Sequence, residues 1–170
     1  MIITDPRTIV DFLRGYTRDY RGRTFDDILN SSDEEMEHCH DAIQQIFPLN
    51  EFSKHAWTYP VLTKETVAMA LKYEDVMGNI LRAEQRMRSF LGMKPNEDID
   101  KQRKWCRDYN HNLLRVTRVI RCLCLFGMNR HAEDFYNEVV KIGNYFGISS
   151  TTLNYWNRAL VEDPWTPLQD

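Results

Sequence analysis

A chain of 170 residues with 42% apolar and 28% charged residues, seven glycines and six prolines has a globular composition, which excludes a disordered tail or a fibrous repeat. Its length suffices for one domain that buries roughly 70% of the surface of the unfolded chain, with no disulfide or metal needed as a staple. A net charge of −3 argues against a general nucleic-acid binder.

In chain order, Asp5-Pro6 predicts a capped helix with proline in its first turn, running through Leu13 and ended by Gly15. A basic loop follows with Arg14, Arg18, Arg21 and Arg23, which reads as solvated, its only aromatic companions being Tyr16 and Tyr20. Thr24 opens a short turn of helix. Ser32-Asp33-Glu34-Glu35 is a capping box, starting a helix that places Met36, Ile43 and Phe47 on one face and stops at Pro48. Asn50 to Leu62, with Trp57, Tyr59 and Pro60, is irregular. Thr63 then caps a helical stretch to Leu91, with a break allowed near Tyr73, and Gly92 occupies the left-handed cap position. Beyond the loop Asn96–Asp100, one helix runs through Trp105 and Tyr109. The next carries the stripe Leu113, Val116, Val119, Ile120, Leu123 and Phe126 to Gly127. Ala132, Phe135, Val139, Ile142 and Phe146 define an amphipathic helix ended by Gly147. Ser149 or Ser150 caps a last helix with Leu153, Trp156 and Leu160, before an extended strap at 163–167. No stretch alternates with period two, so the expected fold is all-α: one domain over residues 1–170, a bundle of about six to eight helices.

Charge is unevenly divided along these elements. Thr24 through Ser53 has no Lys or Arg but holds eight acids, Asp41 among them, while Lys101, Arg103, Lys104, Arg107, Arg115, Arg118 and Arg121 crowd a later stretch. The pattern fits mutual attraction or two solvated faces. Cys39, Cys106, Cys122 and Cys124 form no CxxC pair, as expected of reduced thiols in a cytoplasmic protein. The N-terminus meets Asp5 and Pro6 before a signal-peptide core could form, and the most apolar window, Val116 to Met128, is too short for a membrane span and is interrupted by Arg118 and Arg121.

Two segments set polar groups where a helix favours apolar ones. In the first, His40 and Gln44 flank the face of Met36, Ile43 and Phe47, which predicts their partial burial, with Asp41 beside them. In the second, His111, Arg115 and Arg118 fall at i, i+4 and i+7 along one edge of the core stripe, with Asn112 at its start. Such a row suits bidentate binding of a carboxylate or phosphate, or pairing with acids inside the protein. Both readings stand at this level. His38-Cys39-His40 cannot hold one ion together, since neighbours on a helix diverge, so neither a metal nor any other cofactor is expected. No nucleophile elbow or phosphate-cradling glycine loop is present, and a general acid or base at His40 or His111 is the only catalytic alternative.

Several of these stretches together resemble the conserved domain of the opioid growth factor receptor family, especially its compact microbial members. Phe12-Leu13-Arg14-Gly15 and Arg21-Gly22-Arg23-Thr24 resemble its opening. His40-Asp41, Ile43-Gln44 and Phe47-Pro48-Leu49 resemble its His-Asp-Tyr-Ile-Gln-Trp-Leu-Phe-Pro run, followed by Pro60 and Leu62-Thr63. Phe90-Leu91-Gly92 resembles its Phe-Tyr-Gly, and His111-Asn112-Leu113-Leu114-Arg115-Val116-Thr117-Arg118-Val119-Ile120 is close to its His-Asn-x-Leu-Arg-Ile-Thr-Arg-Ile-Leu. The similarity spans about residues 12 to 160. Gln45 departs from the family's Trp, and Trp57-Thr58-Tyr59 from its Asn-Pro-x-Ala pattern.

The resemblance implies an all-helical fold and, by the family's name, a receptor for an enkephalin peptide, with a nuclear or perinuclear setting as the alternative location in a eukaryote. The expectation is a non-catalytic binding domain for a peptide or small anionic ligand, its polar site drawn from His40, Asp41, Gln44, His111, Asn112, Arg115 and Arg118. A scaffold in which these side chains only lock helices together is the third reading.

Overall fold

Capping chemistry sets where the helices begin. The computed structural model describes residues 5–52 and 60–169, and among them the chain is mostly helical, with ten helices and no strands. The Asp5 side chain caps α1 (Pro6–Leu13) by accepting from the Arg7 amide. Reciprocal capping boxes open α2 (Phe25–Leu29) at Thr24 and Asp27, and α3 (Asp33–His38) at Ser32 and Glu35. Thr63 and Thr66 close a third box at α5 (Lys64–Ala70). In each, side chains satisfy backbone amides that a helix start leaves without partners.

The count exceeds six to eight because two predicted helices are broken. At Cys39 the backbone leaves the helical region (φ −99°, ψ 81°), separating α3 from α4 (His40–Ile46). A turn over Leu71–Tyr73 separates α5 from α6 (Glu74–Leu91). Neither break carries a glycine or proline; the second falls where the sequence allows one, near Tyr73, and the first has no sign in the spacing.

The chain divides into two compact units, Met1–Glu84 and Gln85–Asp170, with the boundary inside α6. In the first, α1 packs on α5, and α2 and α3 pack on α4. Leu13, Phe25, Met36, Ile43, Ile46, Phe47 and Leu62 are buried there, each contributing on the order of 2 kcal/mol of hydrophobic stabilisation. Leu49 and Val61 form an isolated parallel bridge, the Leu62 amide donating to the Leu49 carbonyl at 2.8 Å. Trp57, Thr58 and Tyr59 lie outside the described residues.

In the second unit α8 (Asn112–Leu125) packs against α9 (Asn129–Phe146) and α10 (Ser150–Val161), which also pack on each other. The predicted stripe holds: Val116, Val119, Ile120, Leu123 and Phe126 are all buried. Gly143 permits the approach of α10, since a Cβ there would lie 3.1 Å from Leu153 Cδ2 and 3.2 Å from Trp156 Cζ3. The Trp156 indole donates to the Leu113 carbonyl at 3.1 Å, and the Trp105 indole to that of Leu91 at 2.8 Å.

The helix expected through Trp105 and Tyr109 ends earlier, as α7 (Ile99–Trp105). Residues 106–111 form a tight connection to α8, with Tyr109 at φ 66°. Gly92, at φ 68°, ends α6 as its position predicted. Its carbonyl accepts from the Asp98 amide at 3.0 Å and from Gln102 Nε2 at 2.8 Å. No helix of the described residues is long and apolar enough to cross a membrane.

Candidate functional site

The polar residues of α4 take the places that its restarted register assigns. Met36, Ile43 and Phe47 are buried as their spacing predicts, but the expected partial burial of His40, the first residue of α4, gives way to exposure. Asp41 turns inward instead and is buried. Its Oδ2 accepts from the Tyr20 hydroxyl at 2.8 Å and from Arg23 Nη2 at 2.8 Å, with Arg21 Nε at 3.2 Å. Burial pushes this carboxyl up, but Tyr20, Arg23 and Arg21 together outweigh that cost and hold it below the usual carboxylate range.

The arginines are themselves positioned by a second acid. Asp19 Oδ1 accepts from the amides of Arg21 and Arg23, both at 2.9 Å, folding the loop around the carboxylate. Its Oδ2 takes Arg23 Nε at 2.9 Å and Nη2 at 2.7 Å. Arg23 thus bridges two carboxylates while its Nη1 meets Cys39 Sγ at 3.5 Å. The loop is solvated at Arg18 and Arg21, as its sequence reads, and is organised by ion pairs around a half-buried Arg23. Arg14 pairs with Asp75 and Arg18 with Asp27, so each of the four loop arginines has an acid partner within the first unit. Part of the acidic segment is neutralised by its neighbours in the chain.

Gln44, three residues beyond Asp41, is half-buried as expected. Its Oε1 is buried and accepts no hydrogen bond.

At the start of α8 the second polar row is more internal than its spacing suggests. Asn112 and Arg115 are both buried, and Arg115 Nη1 donates to Asn112 Oδ1 at 3.2 Å. The Arg115 guanidinium also stands over the Phe90 ring, 5.8 Å from its centroid, a favourable cation–π placement. His111 is half-buried, with Nε2 inside, and Arg118 is half-buried as well. The structure therefore joins Asn112 to Arg115, and joins Asp41 to three residues the sequence did not nominate.

Those omissions share a cause. Tyr20, Arg21, Arg23 and Asp19 lie in a loop without periodicity, although Arg21-Gly22-Arg23-Thr24 is one of the stretches that carry the resemblance. Arg121 was seen only as one of a basic crowd. It is buried, and its guanidinium takes the carbonyls of Asp163 at 3.3 Å, Pro164 at 2.9 Å and Thr166 at 2.6 Å, clamping the strap after α10.

For chemistry the arrangement offers charge and hydrogen bonds. The Asp41 carboxylate holds Tyr20, Arg21 and Arg23 through its Oδ2. Burial, with Asp108 nearby, pushes the Cys106 thiol up to about 12; burial also raises Cys122 and Cys124. None of these three is poised as a thiolate near neutral pH. Among the described residues no three His, Cys, Asp or Glu side chains converge as a metal site would require.

The fold and these clusters define a mostly helical domain whose distinguishing side chains lie on α4, on the loop that pairs with it, and at the start of α8. The chain belongs to the family of the opioid growth factor receptor (OGFr) conserved region, whose model matches residues 8–162. Comparison with curated proteins and with solved structures returned no match.

Proposed function

We propose that this domain is a non-catalytic binding module for a peptide-like ligand, with Gln44 as an acceptor for a ligand N–H. The observation that carries the reading is the buried Gln44 Oε1 without a hydrogen bond. A buried acceptor left unsatisfied costs about 1–3 kcal/mol, so a ligand that supplies an N–H recovers that amount, roughly a factor of ten or more in affinity. Gln44 sits in the Ile43-Gln44 part of the run that resembles the family's, and a family named for a peptide receptor supports a peptide as the first class to test.

His40 and Asp41 complete the α4 part of the site, Asp41 by fixing the loop beside it. His111, Asn112, Arg115 and Arg118 are the second candidate set, suited to an anionic group by the charge of Arg115 and Arg118. Four unbridged cysteines support a reducing, cytoplasmic setting for this activity.

Thermal shift of the full chain with an enkephalin, other short peptides and small carboxylic acids tests the reading. A peptide at a hundred times its Kd stabilises by about 2.7 kcal/mol, and Gln44→Ala, by weakening it roughly tenfold or more, should cut that shift by about half or more. A shift left unchanged by Gln44→Ala removes the α4 site; one left unchanged by both Arg115→Ala and Arg118→Ala removes the α8 set.

A further inference from the structure

Between α7 and α8 the chain spends its hydrogen bonds on holding one aromatic ring outside. The Asn110 side chain links the two helices, Nδ2 donating to the Lys104 carbonyl at 3.4 Å and Oδ1 accepting from the Asn112 amide at 2.9 Å. The Asn110 amide donates to the Arg107 carbonyl at 3.2 Å and the Leu113 amide to the Asn110 carbonyl at 3.1 Å. Asp108 Oδ1 accepts from the Ser149 amide at 3.1 Å, pinning the loop to the cap of α10. The residue between these ties, Tyr109, adopts φ 66° and is fully exposed. Left-handed backbone is costly for a residue with a Cβ. Such strain persists only where surrounding structure enforces it, and it gathers at functional positions.

Lys104 and Arg107 are exposed, and among the described residues neither has a carboxylate partner. Asp100 pairs with Arg103, while Asp108, exposed and charged, accepts from the Ser149 amide, so residues 104–111 carry two cations to one carboxylate. Leu114, in the first turn of α8, is 69% exposed. An exposed tyrosine with an arginine two residues before it supplies residue types enriched in protein-binding hot spots. Two cations are few for nucleic acid, where affinity grows with each phosphate neutralised.

We infer that the Cys106–His111 loop is a docking surface for an acidic segment of a partner protein, with Tyr109 as its apolar anchor and Lys104 and Arg107 pairing with partner carboxylates. Tyr109, Lys104 and Arg107 are other residues than Gln44, and their role does not depend on the reading of that residue.

Fluorescence anisotropy of the full chain with a labelled peptide of alternating glutamate and leucine, and with a labelled oligothymidylate, tests it. The peptide should bind, weaken as salt is raised, and lose tenfold or more in affinity with Tyr109→Ala and with the double variant Lys104→Glu/Arg107→Glu. Tyr109→Phe should retain binding. Tyr109→Gly relieves the backbone and so should lose binding while keeping or raising Tm, which separates the ring from the fold. Absence of peptide binding, binding unchanged by Tyr109→Ala, or binding of the oligothymidylate in its place overturns the inference.

Discussion

Replacing Asp41 by Asn removes one negative charge and keeps the shape of the side chain. In the native protein this carboxylate takes a tyrosine hydroxyl and two guanidiniums while buried. Hydrogen bonds to a charged group contribute about 1.5–3 kcal/mol each, and breaking a buried pair costs about 3–5 kcal/mol when the partner is stranded. Here Arg23 keeps Asp19, and the Arg21 side chain is 55% exposed, so its pair adds little. The expected loss is therefore about 2–3 kcal/mol, a fall in Tm of roughly 5–10 °C for a chain of this size.

The dependence on pH makes the prediction specific. The folded Asp41 titrates below its unfolded value of about 3.9, so in that window the unfolded chain binds more protons and stability rises with pH. The contribution is complete above about pH 5 and is lost as the pH falls through the folded value. Urea denaturation of both proteins at pH 7 and pH 3 should show a wide gap at pH 7 that is smaller at pH 3. The lowered carboxyls of the capping boxes, Asp27 and Glu35, are common to both chains and cancel. A gap of equal size at both pH values would refute the charge argument, and one below about 0.5 kcal/mol would show that Asp41 does not hold the arginine loop.

Gly92→Ala should destabilise by about 2 kcal/mol or more in thermal denaturation, because φ is 68° and the new Cβ would lie 2.4 Å from the Asp98 carbonyl oxygen. Arg121→Ala strands three carbonyls of the strap and should expose 163–169 to limited proteolysis under conditions where the native chain resists. Cys106 and Cys122 should react with a disulfide reagent at pH 8 only on unfolding, since burial shields both and raises their thiols.

What the sequence disclosed were the features written in short-range chemistry. The caps at Asp5 and Ser32, the glycine stops at Gly92, Gly127 and Gly147, and the core stripe of α8 all follow from spacing along the chain, and all hold. The break at Cys39 has no such sign, and Asp41, not His40, is the buried polar residue of α4. The ion-pair loop escaped for another reason. Asp41 meets Tyr20 and Arg23 from 21 and 18 residues away, and an aperiodic arginine loop gives no indication of which acids it will find. Arg121 is harder still, because its partners are backbone carbonyls, which every residue has. Asn112 and Arg115 lie in the stretch of closest family resemblance, yet spacing alone did not distinguish a presented guanidinium from one held over Phe90.

The boundary inside α6 bears on how this protein can be altered. Val76, Ile80 and Ala83 precede it and Met87, Phe90 and Leu91 follow it, all buried and all on the same continuous helix. A cut between Glu84 and Gln85 leaves each fragment with a frayed helical end and apolar side chains that its own piece of helix must still order. Recombination, truncation and chimera building therefore have no natural seam here. A chimera that exchanges one half has to carry α6 across whole.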